Sequence, residues 1–148
     1  MNMSSLGKIA VVSALALMGA MTASVPAQAG GGAWSNSSNG PTIYQTNWWY
    51  GGSAVNPIGS VPSTAVISYF SWSTYLSYMP AGTTIAICAN NGNDCGYTAA
   101  ASGQSTYFNG QPADAAVYFA FNVEQSTTHI LSPYVYGGPD QANVSYTY

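Results

Sequence analysis

Basic side chains are almost missing from this sequence: Lys8 is the only Lys or Arg in 148 residues, and His129 is the one histidine. Beyond Lys8 the chain has no Lys or Arg with which to neutralise phosphates, which excludes nucleic acid as a partner. The same lack excludes an electrostatic hold on anionic lipid. Acids are scarce too, comprising Asp94, Asp114, Glu124 and Asp140. No apolar run of spanning length follows the N-terminal segment, so no transmembrane helix is expected beyond it. No window carries the i, i+3, i+4, i+7 stripe of an amphipathic helix. Disordered chains combine low hydrophobicity with high net charge, whereas this one is rich in Tyr, Trp, Val and Ile and should fold. Its solvent face must be made from Ser, Thr, Asn, Gln, Gly and Tyr hydroxyls. Charge repulsion between copies is then weak, which leaves self-association open.

The lone lysine belongs to a leader. "MNMSSLGK" is a short positive segment, Ile9 to Met21 is an apolar run of 13 residues, and Ala27-Gln28-Ala29 is a small-x-small cleavage motif. This is the build of a secretory signal peptide, and the run is too short to span a bilayer, which takes about 20 residues. Residues 1–29 are expected to be the signal peptide and residues 30–148 a single domain, Sec-exported to the periplasm or released outside the cell.

Within that domain the pattern has period two. "TIYQTNWWY" (42–50), "STAVISYFSWSTYLSY" (63–78), "TTIAICA" (83–89), "DCGYTAA" (94–100), "AAVYFAFNV" (115–123), "HILSPYVY" (129–136) and "ANVSYTY" (142–148) read as strands, being rich in β-branched and aromatic residues. Val117, Phe119, Phe121 and Val123 should share one face. "GGSAVNPIGSVP", "MPAG", "NGQPAD" and "YGGPDQ" between them are turn chemistry. Pro133 within "LSPYV" marks an edge strand or a bulge. Seven or eight short strands so spaced predict an all-β fold, a small antiparallel β-sandwich. A transmembrane barrel would need eight strands of roughly 9–11 residues, and several of these segments are shorter.

The two cysteines, Cys88 and Cys95, flank "ANNGND". A structural zinc site usually takes four ligands, with cysteines in C-x2–4-C pairs, and a thioredoxin-like centre takes C-x-x-C. Neither spacing is present. A two-residue type I′ turn at Asn91-Gly92 would instead pair 90 with 93, 89 with 94 and 88 with 95. The cysteines then face each other within disulfide reach, and export supplies oxidising conditions. A hairpin disulfide is expected.

Catalytic signals are thin. His129 has no recognisable nucleophile or orienting acid in sequence, no serine sits in a G-x-S-x-G elbow, and no metal or other cofactor is implied. The chain is not expected to be an enzyme. Its distinctive constellation is aromatic: Trp48, Trp49, Tyr50, Trp72, Tyr75 and Tyr78 make either the core of a Leu-poor domain or a platform for sugars or a protein partner.

"GGAW" (31–34), "PAGTTIAICANNGNDC" (80–95), "ASGQSTYFNGQPADAAVYFAFNV" (101–123) and "SPYVYGGPDQANVSY" (132–146), in that order, resemble the periplasmic flagellar FlhE family. The resemblance covers the C-terminal half well and residues 35–79 hardly at all. It implies a small all-β periplasmic accessory protein that is not an enzyme. Its partners would be flagellar export components, and its role that of a chaperone or of a guard against proton leak. The family's cysteine pair falls on Cys88 and Cys95, and its leading aromatic on Trp34. Trp34 thus joins Trp48, Trp49 and Trp72 as a candidate binding surface. Related proteins carry several arginines and this domain has none, which puts any arginine-mediated contact in doubt. The alternatives are a secreted self-assembling surface or matrix protein and an aromatic-platform carbohydrate-binding module.

Overall fold

Extended backbone follows from β-branched and aromatic residues alternating with Ser, Thr and Asn. The computed structural model describes residues 29–148, so all of the leader expected over residues 1–29 except Ala29 lies outside the described residues. Ten strands run through them: β1 (Gly31–Asn39), β2 (Thr42–Gln45), β3 (Tyr50–Gly51), β4 (Val66–Ser73), β5 (Thr83–Ala89), β6 (Asp94–Thr98), β7 (Ser102–Ser105), β8 (Tyr118–Val123), β9 (Ile130–Tyr136) and β10 (Pro139–Thr147). All pairings between them are antiparallel. One sheet has the order β1-β10-β4-β7, a second β3-β8-β5-β6, and β2 pairs with β9 as a separate ribbon. Each sheet has free ends, so no closed barrel forms. Among the described residues no helix is long and apolar enough to cross a membrane.

Trp34, Ile67, Phe70, Trp72, Ala142 and Val144 of the first sheet meet Ile85, Ile87, Phe119 and Phe121 of the second in one buried cluster, joined by Ile43, Leu131 and Val135 of the ribbon. Two sheets sharing one core are the sandwich that the alternation implies. Val117, Phe119, Phe121 and Val123 are all buried, as their common face requires. On β4 the inward residues Ile67 and Phe70 are three apart. A register shift between Ser145 and Tyr146 of β10 accounts for this, since it leaves Ser68 as an extra residue, a β-bulge that restores the inward face.

The elements differ from the sequence reading in instructive places. β1 was not anticipated, because "SNSSN" offers no apolar alternation; only Trp34 on it is buried. β7, "SGQS", is equally silent. The expected strand over 42–50 is broken after Gln45, where Asn47 takes a left-handed φ of 58°, a conformation that Asn tolerates better than most residues. Pro133 lies in the two-stranded ribbon, opposite a register irregularity between Ile43 and Gln45, in keeping with its missing N–H.

The sandwich has two lateral edges, and they differ. Along β1 the segment after β3 acts as a seal. Ser53 N–H donates to the Asn39 carbonyl at 3.2 Å, Ser38 Oγ to the Ser53 carbonyl at 2.7 Å, and Asn36 Nδ2 to the Asn56 carbonyl at 2.8 Å. Val55 in the same segment exchanges backbone hydrogen bonds with Val117, at 2.8 and 3.0 Å. That segment thus ties the first sheet to the backbone that leads into β8. Along the other edge the segment after β7 packs Tyr107 and Phe108 against Gly96 of β6, but among the described residues it forms no backbone hydrogen bond to β6.

The β5–β6 hairpin carries the disulfide. Cys88 pairs with Cys95 and Ala89 with Asp94, and the sulfurs are bonded across a Cα separation of 4.0 Å. Asn91 (φ 56°, ψ 33°) and Gly92 (φ 88°) take the two positive-φ positions of a type I′ turn, with Asn93 N–H donating to the Asn90 carbonyl at 3.2 Å. Asn90 is also left-handed, at φ 51°, so regular pairing stops at Ala89 and Asp94. Closing so short a loop limits the unfolded chain by about 2.5 kcal/mol in the chain-entropy account. Replacing both cysteines with alanine is expected to lower the unfolding free energy by about 2–3 kcal/mol in urea titrations, with the far-UV spectrum retained.

Candidate functional site

The four candidate tryptophans do not assemble into one surface. Trp34 is buried and its Nε1 donates to the Ala113 carbonyl at 2.9 Å. Trp72 is buried beside Phe70, with Nε1 on the Ala100 carbonyl at 3.2 Å. Both use their indole N–H as buried tryptophans do and are core residues. Trp48 and Trp49 lie in the connection between β2 and β3 and are 60% and 42% exposed.

Trp49 and Tyr97 form the centre of an aromatic face. Their ring centroids are 6.1 Å apart, although Trp49 precedes β3 and Tyr97 lies on β6, at opposite ends of the sheet. Small residues between them make this reach feasible. Ala120 and Ala86 are register partners, and Ala86 is also paired with Tyr97, so the outward row reads Ala120, Ala86, Tyr97. Ala86 is buried despite facing away from the core, consistent with aromatic cover over the row. On the ribbon a separate group forms, with Tyr44 at 5.0 Å from Tyr134 and 5.9 Å from Tyr50.

At the open edge of the sandwich lies a cleft of about 470 Å3 between β6 and β7, lined by Trp72, Ile87, Gly96, Thr98, Ser105, Phe108 and others. Its floor is the core itself: Trp72, Ile87 and Phe108 are all buried. Tyr97 and Tyr107, 67% and 62% exposed, stand at its rim. On β7, Gly103 leaves room for the floor residue Trp72, whose ring would lie within 2.8 Å of a methyl there. No charged side chain lines the cleft.

The polar candidates are occupied locally. His129 N–H donates to Thr46 Oγ1 at 3.0 Å, while its Nδ1 lies 3.2 Å from the Thr127 carbonyl; no carboxylate is among its hydrogen-bond partners. In "ANNGND", Asn90 Nδ2 donates to Asp94 Oδ2 at 3.1 Å and Asn93 Nδ2 to the Asn90 carbonyl at 2.8 Å. Asn91 Oδ1 accepts from Ala116 N–H at 3.0 Å, which pins the hairpin tip to the segment before β8. Among the described residues no group of three or more His, Cys, Asp and Glu could hold a metal.

Asp140 is the group that sequence reading missed. Its side chain is fully buried, and neither carboxyl oxygen has a hydrogen-bond partner. It lies on β10 against two glycines, where a methyl at Gly40 would approach Oδ2 to 2.9 Å and one at Gly52 to 3.2 Å. Burial disfavours the charged form and pushes its pKa up from 3.8 to about 7. The signal was present, since Asp140, Ala142 and Val144 share one alternation; "GGPDQ" was read as a turn instead. Well below pH 3.8 the carboxyl is neutral both folded and unfolded. Between pH 4 and 7 the unfolded chain ionises while the folded one holds its proton, so stability falls as pH rises and levels off above 7. The expected loss is of order 4 kcal/mol at 1.36 kcal/mol per pKa unit. Urea titrations at pH 4, 5.5, 7 and 8 check this: the native protein should weaken across the series, and Asp140→Asn should lose that slope.

The model of the family described as flagellar protein FlhE matches residues 40–147, which leaves β1 outside the match. A solved structure described as the crystal structure of FLHE superposes with a TM-score of 0.71 at 24% identity. The match covers 79% of this chain and 97% of that one, and at this identity the likeness is one of fold. Among curated proteins the sequence has no match. By the family match over most of its length, the chain belongs to the FlhE family of flagellar proteins.

Proposed function

We propose that this protein is exported to the periplasm and acts there as an accessory to the flagellar export apparatus, through protein–protein contact, as a chaperone or a guard against proton leak. The family match over residues 40–147 carries this reading. The Cys88–Cys95 bond supports export, since such bonds persist in oxidising compartments and are rare in the cytosol. The signal-like sequence of residues 1–29 supports it too. Lacking Lys and Arg, the domain must make its contacts through a few acids, neutral hydrogen bonds, aromatic rings and exposed backbone. The test is deletion of the gene in its host, scored for motility and for cytoplasmic pH under acid load. Loss of either function, restored by the native sequence, is expected; a deletion strain unchanged in both overturns the reading.

A second reading rests on the exposed aromatic face. Trp49 and Tyr97 present uncharged rings beside a row of alanines, with Trp48 exposed next to Trp49 in sequence, a surface suited to stacking on neutral sugars. A glycan array comparing the native protein with Trp48→Ala and Trp49→Ala should then show binding that both variants lose; a native protein that binds no glycan rejects it.

A further inference from the structure

The open lateral edge has the features of an unfilled strand position. β6 and β7 are the terminal strands of their sheets. Among the described residues, the backbone groups on their outer sides form no backbone hydrogen bonds beyond the pairings with β5 and β4. Unpaired edges of this kind template the addition of an extended chain. Between them lies an apolar slot of about 470 Å3 that reaches the core at Trp72, Ile87 and Phe108. On the opposite side of the sandwich the equivalent position is filled, by the segment after β3 that bonds to β1 and sets Val55, fully buried, into the core.

The chemistry of the slot selects its occupant. Thr98 Oγ1 and Ser105 Oγ already accept hydrogen bonds from the Ala100 and Tyr107 amides, each at 3.0 Å. Their O–H groups and the phenols are the polar groups at the rim, while the floor of the slot is apolar. An apolar side chain carried on an extended backbone satisfies both the slot and the edges. Asp94 opens β6, and there is no Lys or Arg among the described residues to balance it. A second copy meeting this edge with its own would set one Asp94 against the other, a repulsion that a neutral segment avoids and a basic one turns into attraction.

We propose that the β6–β7 edge binds an extended segment of a partner protein, neutral or basic in charge, which pairs with an edge strand and places an apolar side chain in the slot between Trp72, Ile87 and Phe108. The inference rests on the reading of this protein as one that works by protein contact, and it names the surface. The probe is a set of linear twelve-residue peptides selected from a random library against the protein expressed from its full sequence. Selected peptides should lose at least tenfold in affinity for Thr98→Trp, which fills the slot from its rim, and keep their affinity for Thr98→Val. Methylating the peptide's backbone nitrogens one at a time should abolish binding at every second residue, because alternate N–H groups face the edge strand. That scan leaves the protein unaltered, so it stands even if Thr98→Trp does not fold.

The proposal is overturned if no peptide is enriched, if Thr98→Trp folds and binds normally, or if the methylation scan lacks a period of two. It is also overturned if the native protein forms a dimer that Thr98→Trp abolishes, which would make the occupant a second copy. A Thr98→Trp protein that binds no peptide yet fully complements the deletion strain removes this site from the function while leaving the accessory role intact. A deletion strain without a phenotype removes the accessory role and leaves peptide binding to be judged by itself.

Discussion

With no Lys or Arg among the described residues, the polar demands of this fold are met almost wholly by neutral hydrogen bonds. The backbone does most of this through antiparallel pairing, and Asn, Ser and Thr side chains do the rest at the edges and turns, as at Ser38, Asn36 and Asn91. Asp140 shows the cost of the constraint. A buried carboxylate is ordinarily matched by a cation or by several donors, and here neither a Lys or Arg nor a donor meets it. Keeping its proton is the solution left, which ties the stability of the β10 corner to pH.

The same constraint shapes the surface. A domain that cannot use ion pairs presents phenols, indoles and bare strand edges instead, and these are uneven in placement. The β1 side is sealed by a segment of the same chain, and the outer face of the second sheet is shielded by Trp49 and Tyr97. The β6–β7 side keeps an apolar slot with unpaired backbone on both walls. Family membership supplies the flagellar context; this asymmetry tells which part of the surface differs in kind from the rest.

How much of this could be read from the sequence follows from how strongly each segment's pattern is forced. β5, β8 and the disulfide were legible because alternation and a type I′ turn leave one register in which Cys88 faces Cys95. β1 and β7 were not, since their pairing depends on neighbours and not on apolar side chains of their own. Trp72 could be placed on a strand and Trp34 could not, and since whether an indole turns inward depends on the sheet opposite, neither could be told from the exposed Trp48 and Trp49. The cleft was invisible for a further reason: its lining comes from β4, β5, β6, β7 and the segment after β7, brought together only by the crossing between sheets. Asp140 lay within reach of the alternation rule, but Gly137, Gly138 and Pro139 argued more loudly for a turn.

β1 has a single strand partner, β10, and pairs with it along its whole length, from Gly31 opposite Thr147 to Asn39 opposite Pro139. A chain that emerges N-terminus first, from a ribosome or through a membrane pore, presents β1 before anything exists for it to pair with. The first sheet can close only after β10 has followed, so β1 waits for its strand pairing until the end of emergence. Its run of Ser and Asn suits that wait: a polar strand with one tryptophan has little to aggregate with before its partner arrives.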